Sequence, residues 1–182
     1  MDFSNFRVYL RAFEPEDHNT THPWREDEDI VKNIVGRKYF VSHEYERKWI
    51  NDAIFDQSSV KLSICLKETK EHIGNVYLNK IDHINKNCRF GILLGNRNLW
   101  DQGIGSEAVI LMLDHAFYDL GMVRVSSKQL LTNKRLRLLE CGFKHEGILR
   151  KAVFKNGEYC DLNILSVIRE DFDTLLKSAD YM

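Results

Sequence analysis

Apolar and polar residues alternate with a period of two along several stretches of this chain and with a helical period along others. Residues 6–13 alternate and are rich in β-forming side chains, which predicts a first strand. Glu14-Pro15-Glu16-Asp17 then opens a helical stretch, with proline near the first turn and acids at the positive end of the helix dipole. Ser42 is a suitable N-cap for a helix running through Phe55, with Tyr45, Trp49 and Ile50 on one face. A β-rich block follows at 60–66, 73–81 and 88–94, with Leu62, Ile64 and Leu66 on one side of the first strand. The polar loop 83–87 suits an antiparallel hairpin between the last two.

The clearest helix is 103–120, whose stripe is Val109, Met112, Leu113, Ala116, Phe117 and Leu120, with Gly121 placed to end it. A short strand at 123–127, a helix at 133–140 and a strand from Phe143 come next. Asn156-Gly157 is a strong hairpin turn signal, followed by a strand at 159–168 and a terminal helix at 169–177. The reading is an α+β (mixed α/β) fold, with antiparallel strands before and after a central strand–helix unit.

Composition narrows the function classes. The chain has 182 residues, 43% hydrophobic and 29% charged, which suits one globular domain spanning 1–182. A formal net charge of -1 with dispersed basic residues favours neither nucleic acid nor an anionic membrane as partner. No apolar run reaches membrane-spanning length, and the N-terminus is neither a signal nor a transit sequence, so a cytoplasmic location is expected. Cys65, Cys88, Cys141 and Cys160 form no C-x-x-C pair and no metal-ligand spacing, so reduced thiols and no metal are expected.

The chemistry concentrates in Gly91-Ile-Leu-Leu-Gly95 and in Trp100-Asp-Gln-Gly103-Ile-Gly105-Ser-Glu107-Ala. A strand runs through a loop into a helix with glycines at its start. The first N–H groups of a helix lack intrahelical partners, and glycines let a ligand approach that backbone, so the segment suits a phosphate. It is not a dinucleotide fingerprint, because Ala108 holds the third glycine position and no acid follows the strand near Val123. It is not a Walker loop either, since no Gly-Lys-Ser/Thr follows.

Trp100, Asp101, Gln102, Gly103, Ile104 and Gly105 resemble the Q/R-x-x-G-x-G/A pyrophosphate loop of GNAT acetyltransferases. Asn133-Lys134-Arg135 with Glu140-Cys141-Gly142-Phe143 is similar to the "N-x-R … E-K-C-G-F" segment of the branch acting on ribosomal-protein N-termini and polyamines. Glu146-Gly147-Ile148-Leu149-Arg150 and Asn156-Gly157-Glu158-Tyr159-Cys160-Asp161 resemble that branch's tail, and Tyr9-Leu10-Arg11-Ala12 with Glu16-Asp17 fits its opening.

The resemblance implies a mostly antiparallel sheet splayed between its fourth and fifth strands, with acetyl-CoA in the opening and direct attack by an acceptor amine. It implies that Ile92, Leu93 and Leu94 face the pantetheine arm. Trp100, Asp101, Gln102, Gly103, Ile104, Gly105 and Ser106 would hold the pyrophosphate, and Asn133 would contact the cofactor from the opposite lip. Lys134 or Arg135 is placed to meet a CoA phosphate. Relatives are often dimers or larger rings.

Two positions depart from the branch: Arg89 stands where a glutamate is frequent, and no tyrosine follows Asn133 before Phe143. The 133–142 segment is also shorter than the family pattern by about two residues, which turns its remaining side chains by about 200°. Cys141 is the substitute candidate for the acid and His83 for the base, while Asp161 is a candidate to orient the amine. The acidic run Glu26-Asp27-Glu28-Asp29 suggests a polyamine acceptor, with Trp24, Tyr39 and Phe40 as candidate pocket walls. A protein N-terminus, an amino sugar, and an acyl-CoA-binding module without turnover remain as alternatives.

Overall fold

Each alternating stretch of the sequence becomes a strand of one seven-stranded sheet. The computed structural model describes residues 2–36, 40–133 and 137–178. In chain order the strands are β1 (Val8–Ala12), β2 (Val60–Leu66), β3 (His72–Asp82), β4 (Asn87–Leu94), β5 (Arg124–Leu130), β6 (Lys144–Lys155) and β7 (Glu158–Ile168). Their spatial order is β1-β2-β3-β4-β5-β7-β6. Every neighbouring pair is antiparallel except β4 with β5.

That parallel pair is short. Asn87, Cys88 and Arg89 meet Arg124, Val125 and Ser126, and there the pairing ends. β4 continues to Leu94 and β5 to Leu130, so the two strands diverge and leave a wedge-shaped opening. The splayed, mostly antiparallel sheet expected from the sequence is therefore present.

The helices are α1 (His18–Glu26), α2 (Glu28–Val31), α3 (His43–Phe55), α4 (Ile104–Asp114) and α5 (Arg169–Ser178). Ser42 caps α3 as expected, its hydroxyl accepting from the Tyr45 N–H at 3.1 Å. On one face of the sheet, Trp49 of α3 lies 6.3 Å from the Tyr77 ring of β3. On the other, Val109 and Met112 of α4 join Val76, Leu78, Phe90 and Val125 in the main core. α4 runs on into a π turn at His115–Asp119, and Gly121, at φ 65, ends it in the left-handed region. Asn156 at φ 52 and Gly157 at φ 85 make the β6–β7 turn the type that two-residue hairpins need.

Two expectations change. The first helical stretch opens as a 3-10 turn, Pro15–Asp17, before α1 begins. In place of the helix expected over 133–140, the described residues there form only a 3-10 turn, Leu138–Cys141, ended by Gly142 at φ 87. Leu138 and Cys141 are buried while Leu139 is exposed, so this short turn seats its apolar residues in the core. Lys134 and Arg135 lie outside the described residues. Among the described residues no helix is long and apolar enough to cross a membrane.

Candidate active site

The opening between β4 and β5 continues into a cleft of about 600 Å³. One wall is the free edge of β4. Ser126 Oγ donates to the Cys88 carbonyl at 3.2 Å and Ser127 Oγ to the Phe90 carbonyl at 3.3 Å, so even-numbered carbonyls of β4 face β5. Farther along the same edge, Trp100 Nε1 donates to the Leu94 carbonyl at 3.0 Å. Strand alternation then turns the N–H and C=O of Ile92 toward the opening, past the point where β5 pairs.

The start of α4 closes this wall. Gly103 is its N-cap at φ 81, a left-handed conformation that favours glycine. The Ser106 N–H bonds back to the Gly103 carbonyl at 3.0 Å, which leaves the Ile104 and Gly105 N–H groups without an intrahelical acceptor. A Cβ on Gly105 would meet nothing within 4 Å, so the backbone is open to a ligand. Arg7 holds the loop from behind, donating to Glu107 Oε1 at 2.7 Å and to the Gln102 carbonyl at 2.8 Å. The fixed N–H groups and the helix dipole make this a place for an anion.

The other wall is a face of the sheet. Register aligns Lys61 with Tyr77 and Tyr77 with Gly91, and aligns Asn79 with Arg89 and Arg89 with Ser126. Cross-strand partners share a face, so Lys61, Tyr77, Asn79 and Arg89 look the same way, toward α1 and α3. Arg25 and Trp49 complete this wall, with the Arg25 guanidinium 5.0 Å over the Trp49 ring. Ile30, Asn33, Ile34 and Val35 roof it. Lys155 fixes that roof by donating to the Val31, Ile34 and Gly36 carbonyls at 2.7, 2.9 and 3.0 Å.

A family model for the acetyltransferase (GNAT) domain matches residues 7–144. The chain belongs to the GNAT acetyltransferase family. This acetyltransferase is 31% identical over 170 residues to the uncharacterized N-acetyltransferase p20 of Bacillus licheniformis, covering 91% of this chain and 95% of that one. It is 26% identical to the prophage-derived uncharacterized N-acetyltransferase YokL of Bacillus subtilis, covering 90% and 91%. Its fold is similar to spermidine N-acetyltransferase from Vibrio cholerae, solved with CoA and spermine, at TM-score 0.83 and 24% identity, covering 91% and 98%.

The acetyltransferase brings most of the residues marked in its sequence into one place. Ile92, Leu93, Leu94, Trp100, Asp101, Gly103, Gly105, Ser106, Asn133 and Cys141 all line the cleft. Gln102 and Ile104 do not: Gln102 Nε2 donates to the Asn98 carbonyl at 2.6 Å, and the Ile104 side chain is buried in the core. They offer backbone only. Asn133 Nδ2 donates to the Asn33 carbonyl at 3.0 Å, tying the far lip to the roof.

His83 lies elsewhere. It occupies the exposed β3–β4 turn, next to the end where β4 and β5 are still paired, and it does not line the cleft. Asp161 accepts from the Lys151 N–H at 2.7 Å and so holds an irregularity in the β6–β7 ladder. Trp24 packs on the end of β4, where a Cβ on Gly95 would fall 1.9 Å from its ring. Phe40 is fully exposed, and Tyr39 lies outside the described residues.

Burial pushes the Cys141 thiol up to about 11, opposed in part by a side-chain hydrogen bond with Ser106. Burial likewise raises the Tyr77 phenol to about 12. Both keep their protons at neutral pH and can donate hydrogen bonds, but neither acts as a base there. The sequence reading missed Tyr77, Asn79 and Lys61. Their signal was a polar or aromatic side chain at every second position of otherwise apolar strands.

Proposed function

We propose that this acetyltransferase moves an acetyl group from acetyl-CoA to the primary amine of a small molecule. The observation that carries this reading is one cleft with a glycine-lined helix start on one wall and a polar, side-chain-lined face on the other. In this reading the N–H groups of Ile104 and Gly105, with Ser106 and the turn 100–103, hold the pyrophosphate. Ile92, Leu93 and Leu94 line the pantetheine arm, and Asn133 closes the far lip. The neutral amine nitrogen attacks the thioester carbon of bound acetyl-CoA, its excess proton passes to solvent, and the carbon–sulfur bond breaks to release the CoA thiolate, which is reprotonated.

The Ile92 N–H is available as a donor to the carbonyl oxygen as negative charge develops on it. Cys141 serves as a hydrogen-bond donor toward a leaving thiolate. Full transfer of its proton runs uphill from a thiol held at about 11 to one of ordinary acidity.

A polyamine acceptor is the finer alternative, and its support is the acidic run 26–29 and the likeness of fold. That run has other partners here. Asp27 caps α2 through the Asp29 and Ile30 N–H groups at 2.8 and 3.2 Å, and Arg97 reaches Asp29 at 2.6 Å. Following thiol release from acetyl-CoA across a panel of amines, with intact-mass analysis of the products, tests the reading. Amine-dependent release with a matching acetylated product is expected. Binding of acetyl-CoA without release for any amine would leave a binding module instead.

A further inference from the structure

We infer that the acceptor carries an anionic group, a carboxylate or a phosphate, near its amine, and that Arg89 with Lys128 supplies the counter-charge. This deepens the acetyl-transfer reading and rests on it. Five basic residues line the cleft, Arg25, Lys61, Arg89, Lys128 and Arg137, against the single acid Asp101 among the described residues. Three of the five have acidic partners. Arg25 meets the buried Glu46 at 3.1 Å, Lys61 meets Asp56 at 2.5 Å and Arg137 meets Glu140 at 3.3 Å. Among the described residues Arg89 and Lys128 have none.

These two cations share a face. Arg89 aligns with Ser126 across the last parallel pair, and Lys128 follows Ser126 by one period of two on the diverging strand. They therefore flank the vertex of the opening on the side toward α1 and α3. The helix start that suits a pyrophosphate is at the other end of β4. Arg89 precedes Leu94 by five residues, about 17 Å of strand, so the two positive regions serve different groups.

A partly buried cation without an acid is costly unless a ligand supplies one. A polycation brought here would meet repulsion. A molecule with both an amine and an anion fits twice over. Its anion is attracted, and the neighbouring cations lower the pKa of its ammonium by like-charge repulsion, which favours the neutral nucleophile.

The test compares four amines with wild-type protein and with Arg89→Gln: glycylglycine for carboxylate, O-phosphoethanolamine for phosphate, ethanolamine as neutral, and spermidine as cationic. For wild type, kcat/KM is expected to be about 10- to 100-fold higher for at least one anionic amine than for ethanolamine or spermidine. The better of the two anionic amines identifies the group. Arg89→Gln is expected to erase that advantage through KM, with a smaller loss for ethanolamine than for the anionic amines and the acetyl-CoA Kd within about twofold. Arg89→Lys is expected to restore part of the advantage.

Three results would overturn the inference alone: preference for spermidine or ethanolamine, equal losses for ethanolamine and the anionic amines in Arg89→Gln, or weakened acetyl-CoA binding in that variant. Absence of turnover with every amine would overturn the transfer reading itself, and this inference with it.

Discussion

The wall formed by the free edge of β4 and the start of α4 presents backbone, whereas the facing wall presents side chains gathered from four strands and two helices. The first needs only an unpaired strand edge, a left-handed Gly103 and an open Gly105. The second depends on buried charge. Asp17 accepts from Arg11 at 2.7 and 2.8 Å and from Ser63 at 3.0 Å, and it pairs with His72 at 3.2 Å beneath α1. Glu46 is 1% exposed and holds both Thr21 and Arg25. A backbone wall is indifferent to pH and to most substitutions, while a wall of charged side chains can be retuned at single positions.

The comparison breaks first at Gly105. Gly105→Asp places a carboxylate where a phosphate is expected, so acetyl-CoA affinity should fall by at least about 100-fold, or about 3 kcal/mol. The fold should hold, since an acid in the first turn suits the helix dipole. Calorimetry with circular dichroism checks both, and unchanged affinity would remove the backbone wall from the account.

Next in size is Asp17→Asn, expected to destabilise by about 2–4 kcal/mol in denaturant unfolding, because it leaves Arg11 and His72 without their acid. Burial pushes the Asp17 carboxyl up, but hydrogen bonds from Arg11, His72 and the Glu14 N–H outweigh it and hold the group well below the carboxylate range. A carboxyl lowered in the folded state stabilises above its unfolded pKa, about 4, and that stabilisation fades as pH falls below it. Wild type should therefore lose stability below about pH 4 more steeply than Asp17→Asn. Parallel acid titrations would contradict this.

Glu46→Gln should cost about 2 kcal/mol, and it frees Arg25 as another cation in the cleft. The smallest effect is expected from Lys155→Met, which removes three donors to the roof carbonyls. About 1–2 kcal/mol of stability and a raised KM for the amine, with the acetyl-CoA Kd unchanged, would show that Lys155 positions only the acceptor wall.

The same division decided what the sequence could reveal. The Ser42 cap, the Asn156-Gly157 turn and the strands 60–66 and 88–94 were legible because each rests on a local pattern. The geometry of the glycine loop was legible for the same reason: the left-handed Gly103 and the open Gly105 lie within a few consecutive residues. The side-chain wall was not, because Lys61, Tyr77, Asn79 and Arg89 become neighbours only through the register of three strands. His83, the candidate base, lies before the fourth strand in sequence. Only the observation that β4 and β5 are paired at that end and parted at the other moves it away from the cleft. Of the helix expected over 133–140, the described residues keep only a 3-10 turn, Leu138–Cys141, which Gly142 ends.

The central claim is that the helix start at Gly103–Ser106 binds the cofactor through its pyrophosphate. Calorimetric titration of the wild-type protein with acetyl-CoA and with acetyl-pantetheine, which lacks the pyrophosphate and nucleotide, tests it most directly. Acetyl-CoA is expected to bind at least about 100-fold more tightly. Equal affinity for the two would contradict it.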